Sequence, residues 1–466
     1  MGKAKRDLGV DQYGVKKVMR KRDYLGDMTG NIGLGLMGNI TGQMTYFYTD
    51  KVGLSVAMIG VLLLVAKVID AFTDVIAGNI IDHSKGGNKK YLKWMLWLTI
   101  PAAAATILLF TVPKGTAGMV YLLISQVFFS AIVYTFIATP YSALQIVRTK
   151  SQMERSSIGT LRSLGSYITG MVMSVLLIPI TNMMGGSQSA WIRFAAIVAV
   201  VIVIMLLICY FSGRNAEFAE DVNVNEDEDH AVPFKEAITK LFHNKYWVIV
   251  LIFNFLSQLQ YGVSGASGAY YCKWIFGDDN LVGVLGAMGL IPAILGYILA
   301  RPMIGKLGVK KTIYTCLVIG IGGSIVKCLF PAVFMVNAVA GCVISFANIP
   351  IMCLYGVLTG MAVDYNEYLY NERLVAISGG ATSFGNKVGG GVSSVIITGS
   401  LALAGYTKAM ETATTGVKYA IYGFSNFVPL IIFVVMIFLF KKFDIMDKIT
   451  DIQAEVAARK EKQAEN

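Results

Sequence analysis

The sequence predicts an all-α polytopic membrane protein of about twelve transmembrane helices in two halves of about six. Three observations predict it. Of the 466 residues, 55% are hydrophobic and only 15% charged, which excludes an ordinary soluble globular protein. The apolar residues fall into runs, each close to the roughly 20 residues that cross a bilayer as a helix. One long polar break, from Arg214 to Tyr246, divides those runs into two sets.

In chain order the runs are Tyr24–Tyr48, Leu54–Ile81, Leu92–Val112, Met119–Gln145, Ile158–Thr181, Ala190–Phe211, Trp247–Trp274, Leu281–Met303, Thr312–Phe330, Phe334–Ala362, Ile377–Leu403 and Tyr419–Phe440. Turn-forming residues separate them, as at Gly186-Ser187 and Asp278-Asp279-Asn280. The 48 glycines suit helices that pack closely inside a membrane.

The long break holds Glu217, Glu220, Asp221, Glu226, Asp227, Glu228 and Asp229, then turns basic at Lys235, Lys240 and Lys245. It reads as a solvated cytoplasmic linker. The expected organisation is an N-terminal bundle (1–213), a linker (214–246), a C-terminal bundle (247–440) and a cytoplasmic tail (441–466). A short motif recurs in the two halves. The loop after the second run, Asp82 to Lys90, and the loop after the eighth, Gly305 to Lys311, both join glycines to lysines. Such recurrence suits a transporter built from repeats.

Lysine and arginine gather in the N-terminal tail and in the stretches 83–93, 148–155, 306–311 and 441–462. By the positive-inside rule both termini face the cytoplasm. The net charge of +11 is therefore read as an orientation signal and not as nucleic-acid binding. Met1–Lys21 lacks the apolar core of a cleavable signal peptide. The six cysteines show no paired framework or metal-ligand spacing and read as small apolar fillers.

The chemistry centres on the second run. Lys67, Asp70 and Asp74 stand at i, i+3 and i+7, on one helical face. A charge at the bilayer centre costs roughly 2.5–3.5 kcal/mol on insertion scales. Three on one stripe must therefore face protein, water or an ion. A self-satisfied ion pair that locks helices together is the plain reading. Yet if Lys67 pairs with Asp70, Asp74 still remains as a surplus carboxylate, which marks a cation or proton site.

The fourth run adds Thr135, Thr139 and Pro140. Proline frees a carbonyl one turn earlier, so the run can help build an all-oxygen site for a hard monovalent cation. The eighth run has no acid like Asp70 or Asp74, which puts cation chemistry on the N-terminal half. In the fifth run, Arg162 either snorkels to the interface or turns inward to fork onto a polar substrate. In the eleventh, Lys387 sits in a glycine-rich helix and needs a carboxylate or a substrate as partner. Asp70 and Asp74 are the acids this reading places deep in the spans. Asn254, Gln258 and Tyr261 share one face of the seventh run and could hydrogen-bond a polyhydroxylated ligand or neighbouring helices. The three histidines lie in loops outside any nucleophile or metal pattern. The tails are too short for a signalling domain. Transport, not catalysis or sensing, is the expected activity.

Tyr48-Thr49-Asp50-Lys51-Val52-Gly53-Leu54-Ser55, Asp70-Ala71-Phe72-Thr73-Asp74, Asp364-Tyr365-Asn366-Glu367-Tyr368 and Lys387 resemble, in order and along nearly the whole chain, the glycoside–pentoside–hexuronide:cation symporters. The resemblance implies the major-facilitator architecture of two six-helix bundles and transport by alternating access. It implies that Asp70 and Asp74 are the paired cation-site aspartates, assisted by Thr135, and that Lys67 is the basic residue one turn before them. It places Arg162 and Lys387 in the substrate cavity, and Asp364 and Arg373, with Arg155, in a cytoplasmic charged gate. Three positions depart from the melibiose-carrying members: Ala138 and Leu34 replace acids, and Ser142 replaces an aromatic.

The expected function is therefore H⁺- or Na⁺-coupled symport of a sugar, glycoside or hexuronide, with a slight preference for H⁺. The alternative is a same-fold carrier of another solute, such as a lysolipid. Lys67, Arg162 and Lys387 give an anionic sugar some weight. No cofactor is expected beyond the coupling ion. The expected partners are a small-molecule substrate and membrane lipid, without nucleic acid, for a monomer in the cytoplasmic membrane.

Overall fold

A computed structural model describes residues 8–10, 16–82, 84–86, 89–149, 151–214, 234–370 and 375–464. Among them the backbone is helical almost throughout. One isolated antiparallel bridge joins Val10 and Lys16. The chain divides into two compact units, residues 1–54 with 65–228 and residues 55–64 with 229–466.

In the first unit, α1 (Lys21–Ile40) starts where the Arg20 backbone N–H donates to the Asp23 carboxylate at 2.8 Å. α1 packs on α6 (Gln152–Met183) and α7 (Gln188–Arg214). Glycine makes this approach close. A Cβ at Gly30 would stand 2.6 Å from the Tyr141 ring and 2.7 Å from Cys209 Sγ, so a larger residue would force α1 off its neighbours. After α1 the chain passes through a π-turn, Phe47–Val52, which ends on Gly53 at φ 83°. Then come α2 (Val56–Asp82), the helix of the charged stripe, and α3 (Lys90–Leu108). The fourth expected span is α4 (Thr116–Val127), a π-helical stretch Phe128–Tyr134, and α5 (Thr135–Val147).

The second unit opens with α8 (Phe234–His243). The sequence reads this part of the linker as solvated, but it is an amphipathic helix whose Leu241 is fully buried. Asn244 then caps α9 (Lys245–Tyr271), accepting from the N–H groups of Tyr246 and Trp247. The acidic part of the linker, 215–233, lies outside the described residues. After α9 the backbone takes a π-turn, Cys272–Phe276, and continues through α10 (Leu281–Met288) and α11 (Leu290–Leu329). α11 breaks at Gly308, φ 76°, within the glycine–lysine motif that the sequence reads as a turn. α12 (Phe334–Tyr370), α13 (Val375–Leu403), α14 (Thr415–Tyr422) and α15 (Val428–Lys441) follow. The tail forms α16 (Ile449–Ala464), whose Arg459 donates to the Tyr368 carbonyl at 2.9 Å.

Among the described residues, ten segments are long and apolar enough to cross a membrane. The first and eleventh expected spans correspond to α1 and α13. Both are helical and carry charge inside the run, Asp27 in one and Lys387 in the other.

Candidate cation site

The charged stripe and the fourth-span threonine meet inside the first unit. Asp70 is 2% exposed, Thr135 is 1% exposed and Asp74 is half-buried. The Thr135 hydroxyl lies 2.8 Å from Asp74 Oδ1 and 3.1 Å from Asp70 Oδ1. A residue 61 positions downstream of Asp74 thus closes a three-oxygen cluster with two carboxylates one turn apart. Lys67 Nζ stands 3.9 Å from Asp70 Oδ2, at the outer limit of an ion pair. Asp70 therefore carries the lysine contact, as the i, i+3 spacing suggests.

Thr135 is the first residue after the π-helical stretch. A π-turn widens the helix by about one residue and rotates the residues beyond it around the axis. The sequence assigns irregular backbone here to Pro140. Pro140 is accommodated within α5, and the wide turn comes just before the threonine.

Arg162 turns inward onto an acid. It is 7% exposed, and its Nε and Nη2 donate to Asp27 Oδ2 and Oδ1 at 2.7 and 2.9 Å. Its guanidinium lies 3.7 Å from the centre of the Tyr141 ring. Tyr141 donates to the Asp27 carbonyl at 2.7 Å, and Arg148 Nη1 donates to Asp27 Oδ1 at 3.2 Å. The physical reason is Asp27 itself, 2% exposed inside the first apolar run. Sequence reasoning placed only Asp70 and Asp74 deep in the spans and missed this acid, although the same insertion cost applies to it. Arg148, 1% exposed, is left with Nε and Nη2 unpartnered.

The polar face of the seventh span also divides. Asn254 is 1% exposed with both amide atoms unpartnered. Gln258 packs where Gly389 of α13 leaves room: a Cβ at Gly389 would come 3.2 Å from Gln258 Cβ. Tyr261 is 60% exposed. The stripe is common to all three, but their burial falls from Asn254 through Gln258 to Tyr261. Near it, Gln260 accepts from Asn348 at 2.9 Å, a pair that no spacing within one helix would join. Lys387 is half-buried on α13, and Asp364 is half-buried on α12. Arg155 Nε donates to the Thr149 carbonyl at 2.9 Å, which ties this gate candidate to its own loop. Arg373 lies outside the described residues.

The residue at the helix-one position expected to bind sugar, Leu34, is buried and apolar. One turn earlier, Asn31 accepts from Ser166 at 2.6 Å, a polar contact between α1 and α6.

Residues 27–447 match the family model described as MFS/sugar transport protein. The chain is 26% identical over 444 residues to the inner membrane symporter YicJ of Escherichia coli (strain K12), covering 92% of each chain. It is 25% identical over 398 residues to the isoprimeverose transporter of Lactiplantibacillus pentosus, covering 82% of this chain and 79% of that one. Among solved structures, a bacterial homologue of the human drug peptide transporters PepT1 and PepT2 superposes with a TM-score of 0.66 at 11% identity, covering 92% of this chain and 99% of the other.

Proposed function

The chain belongs to the MFS/sugar transport protein family, and from that premise we propose that it couples a cation gradient to the movement of a sugar or glycoside through the Asp70–Asp74–Thr135 cluster. The observation that carries the reading is the Thr135 hydroxyl between two carboxylates. A hydroxyl has one hydrogen to donate. With two carboxylate oxygens in reach, it satisfies one of them at a time. A proton on the other carboxyl, donated back to the threonine oxygen, completes the network. A bound cation placed against the same oxygens would do so too. Lys67 stands beside Asp70 and balances the charge of that carboxylate. Asp74, the more accessible of the two carboxylates, is the group assigned to gain and lose the ion, and the proton is the preferred coupling ion.

The charge arrangement favours a neutral sugar over a hexuronide. Of the three cations that gave an anionic solute weight, Arg162 is taken by Asp27 and Lys67 stands by Asp70. Lys387, half-buried on α13, is the candidate for substrate hydroxyls. The relatives' names span both classes: one is for an isoprimeverose transporter, and two are for putative sulfoquinovose importers, whose sugar carries a sulfonate. The basic loops support a multi-pass protein of the cytoplasmic membrane with both termini inside.

The test is uptake into proteoliposomes of a radiolabelled panel of neutral pentosides, disaccharides and hexuronides. An inward pH gradient and an inward Na⁺ gradient are imposed separately. Concentration of a neutral sugar under the pH gradient is expected. Uptake driven by Na⁺ at constant pH, with no response to the pH gradient, would overturn the proton assignment. Preference for hexuronides would overturn the substrate class.

A further inference from the structure

At the end of the first unit where α1 begins and α7 ends, an open cleft of about 530 Å³ lies between the two helices. Its floor is set by Gly26, where a Cβ would fall on the side chain of Ser212. Its walls include Leu25, Ile208 and Phe211, which are 58%, 42% and 56% exposed. Exposed apolar side chains are ordinary on a membrane-spanning bundle. The rim of this cleft adds a cluster of cations. Arg22 lines it with a side chain 72% exposed. Lys21 and Arg214, the first residue of α1 and the last of α7, are exposed at the same end.

One acid also lines the cleft. Asp23 is 6% exposed, accepts from the Arg20 N–H at 2.8 Å and lies 3.8 Å from Arg22 Nε. It is turned into the helix cap and, among the described residues at this end, offsets one of three cations. From Arg22 to Thr29 the lining follows two turns of helix, roughly 10 Å at 1.5 Å per residue. A lipid headgroup and the first carbons of one acyl chain fit along such a length.

We propose that this cleft binds an anionic glycerophospholipid. The phosphate sits against Arg22 and Arg214, and one acyl chain lies along Leu25, Ile208 and Phe211. Basic rims over apolar grooves between membrane helices recognise such lipids through both halves of the molecule, charge at the head and area along the chain. The cleft lies apart from the Asp70–Asp74–Thr135 cluster in the same unit, so the proposal does not rest on the transport reading.

The test uses full-length protein in nanodiscs holding phosphatidylglycerol and phosphatidylcholine with identical acyl chains, and native mass spectrometry of the retained lipid. Wild type should retain phosphatidylglycerol selectively. The double variant Arg22→Gln/Arg214→Gln should retain about thirtyfold less, the change expected for two cations near an anionic headgroup. Leu25→Trp, which fills the cleft without altering charge, should also lose it. Lys441→Gln/Lys442→Gln, at the end of α15, should behave as wild type. Equal retention of both lipids by wild type, or an equal loss in the α15 control, would overturn the proposal. Displacement of the lipid by glycerol phosphate alone would also overturn it, because it would show a phosphate site instead of a lipid site.

Discussion

The Asp27 carboxylate holds the Arg162 guanidinium by two hydrogen bonds, at 2.7 and 2.9 Å, with both residues buried in the first unit. The pair joins α1 to α6, and Arg148 draws the end of α5 into the same cluster. Removing one partner of a buried pair strands the other charge at a cost of roughly 3–5 kcal/mol. Asp27→Asn should therefore lower the unfolding temperature in detergent sharply. Arg148→Met should cost less, because two of its three nitrogens already lack partners. A larger loss for Arg148→Met than for Asp27→Asn would show that the charge balance has been misassigned.

Much of the fold was legible because hydrophobic length is a direct constraint of the bilayer. Apolar runs such as Ala190–Phe211 and Tyr419–Phe440 lie within or across α7, α14 and α15 with little displacement. The stripe of Lys67, Asp70 and Asp74 was legible because helical spacing and insertion cost apply within one element. Thr135 needed the family resemblance, since nothing local states that its side chain reaches the carboxylates of α2. Asp27 lies close to the start of the first run, where a charge is easily taken for an interfacial one. The partners of Arg162 depend on how three helices come together, which spacing within one helix cannot tell. The π-helical stretch before Thr135 leaves no composition signal, unlike the Pro140 that drew attention.

Thr135 separates geometry from bulk. Thr135→Val keeps the shape and removes the hydroxyl that reaches both carboxylates. Hydrogen bonds to charged groups contribute roughly 1.5–3 kcal/mol. The ion dependence of uptake should therefore shift by about tenfold or more to higher ion concentration. Thr135→Ser should stay near wild type. Equal ion dependence in Thr135→Val and Thr135→Ser would remove the hydroxyl from the site.

Asn254 tests the ligand face of α9. Its amide is buried with neither atom partnered, so replacement by an apolar residue of similar volume loses no bond. Asn254→Leu should be neutral or stabilising, by up to about 1–3 kcal/mol, with uptake kinetics unchanged. A raised KM at unaltered stability would instead assign the amide to the substrate.

Gly389 tests the packing of α13 on α9. A Cβ there would lie 2.7 Å from the Phe255 carbonyl oxygen, whereas at Gly390 nothing stands within 4 Å. Backbone cannot yield as a side chain does. Gly389→Ala should lose about 1–3 kcal/mol of stability, and Gly390→Ala should be near neutral. Equal unfolding temperatures for the two variants would contradict this close approach.

The central claim is that Asp74 carries the coupling ion. The most direct measurement compares wild type with Asp74→Asn in two assays on the same proteoliposomes: gradient-driven accumulation, and exchange of labelled for unlabelled sugar without a gradient. A carboxamide preserves shape and removes the charge that the ion neutralises. Accumulation should be abolished in Asp74→Asn while exchange persists at least in part. Accumulation at the wild-type level in the variant would contradict the account.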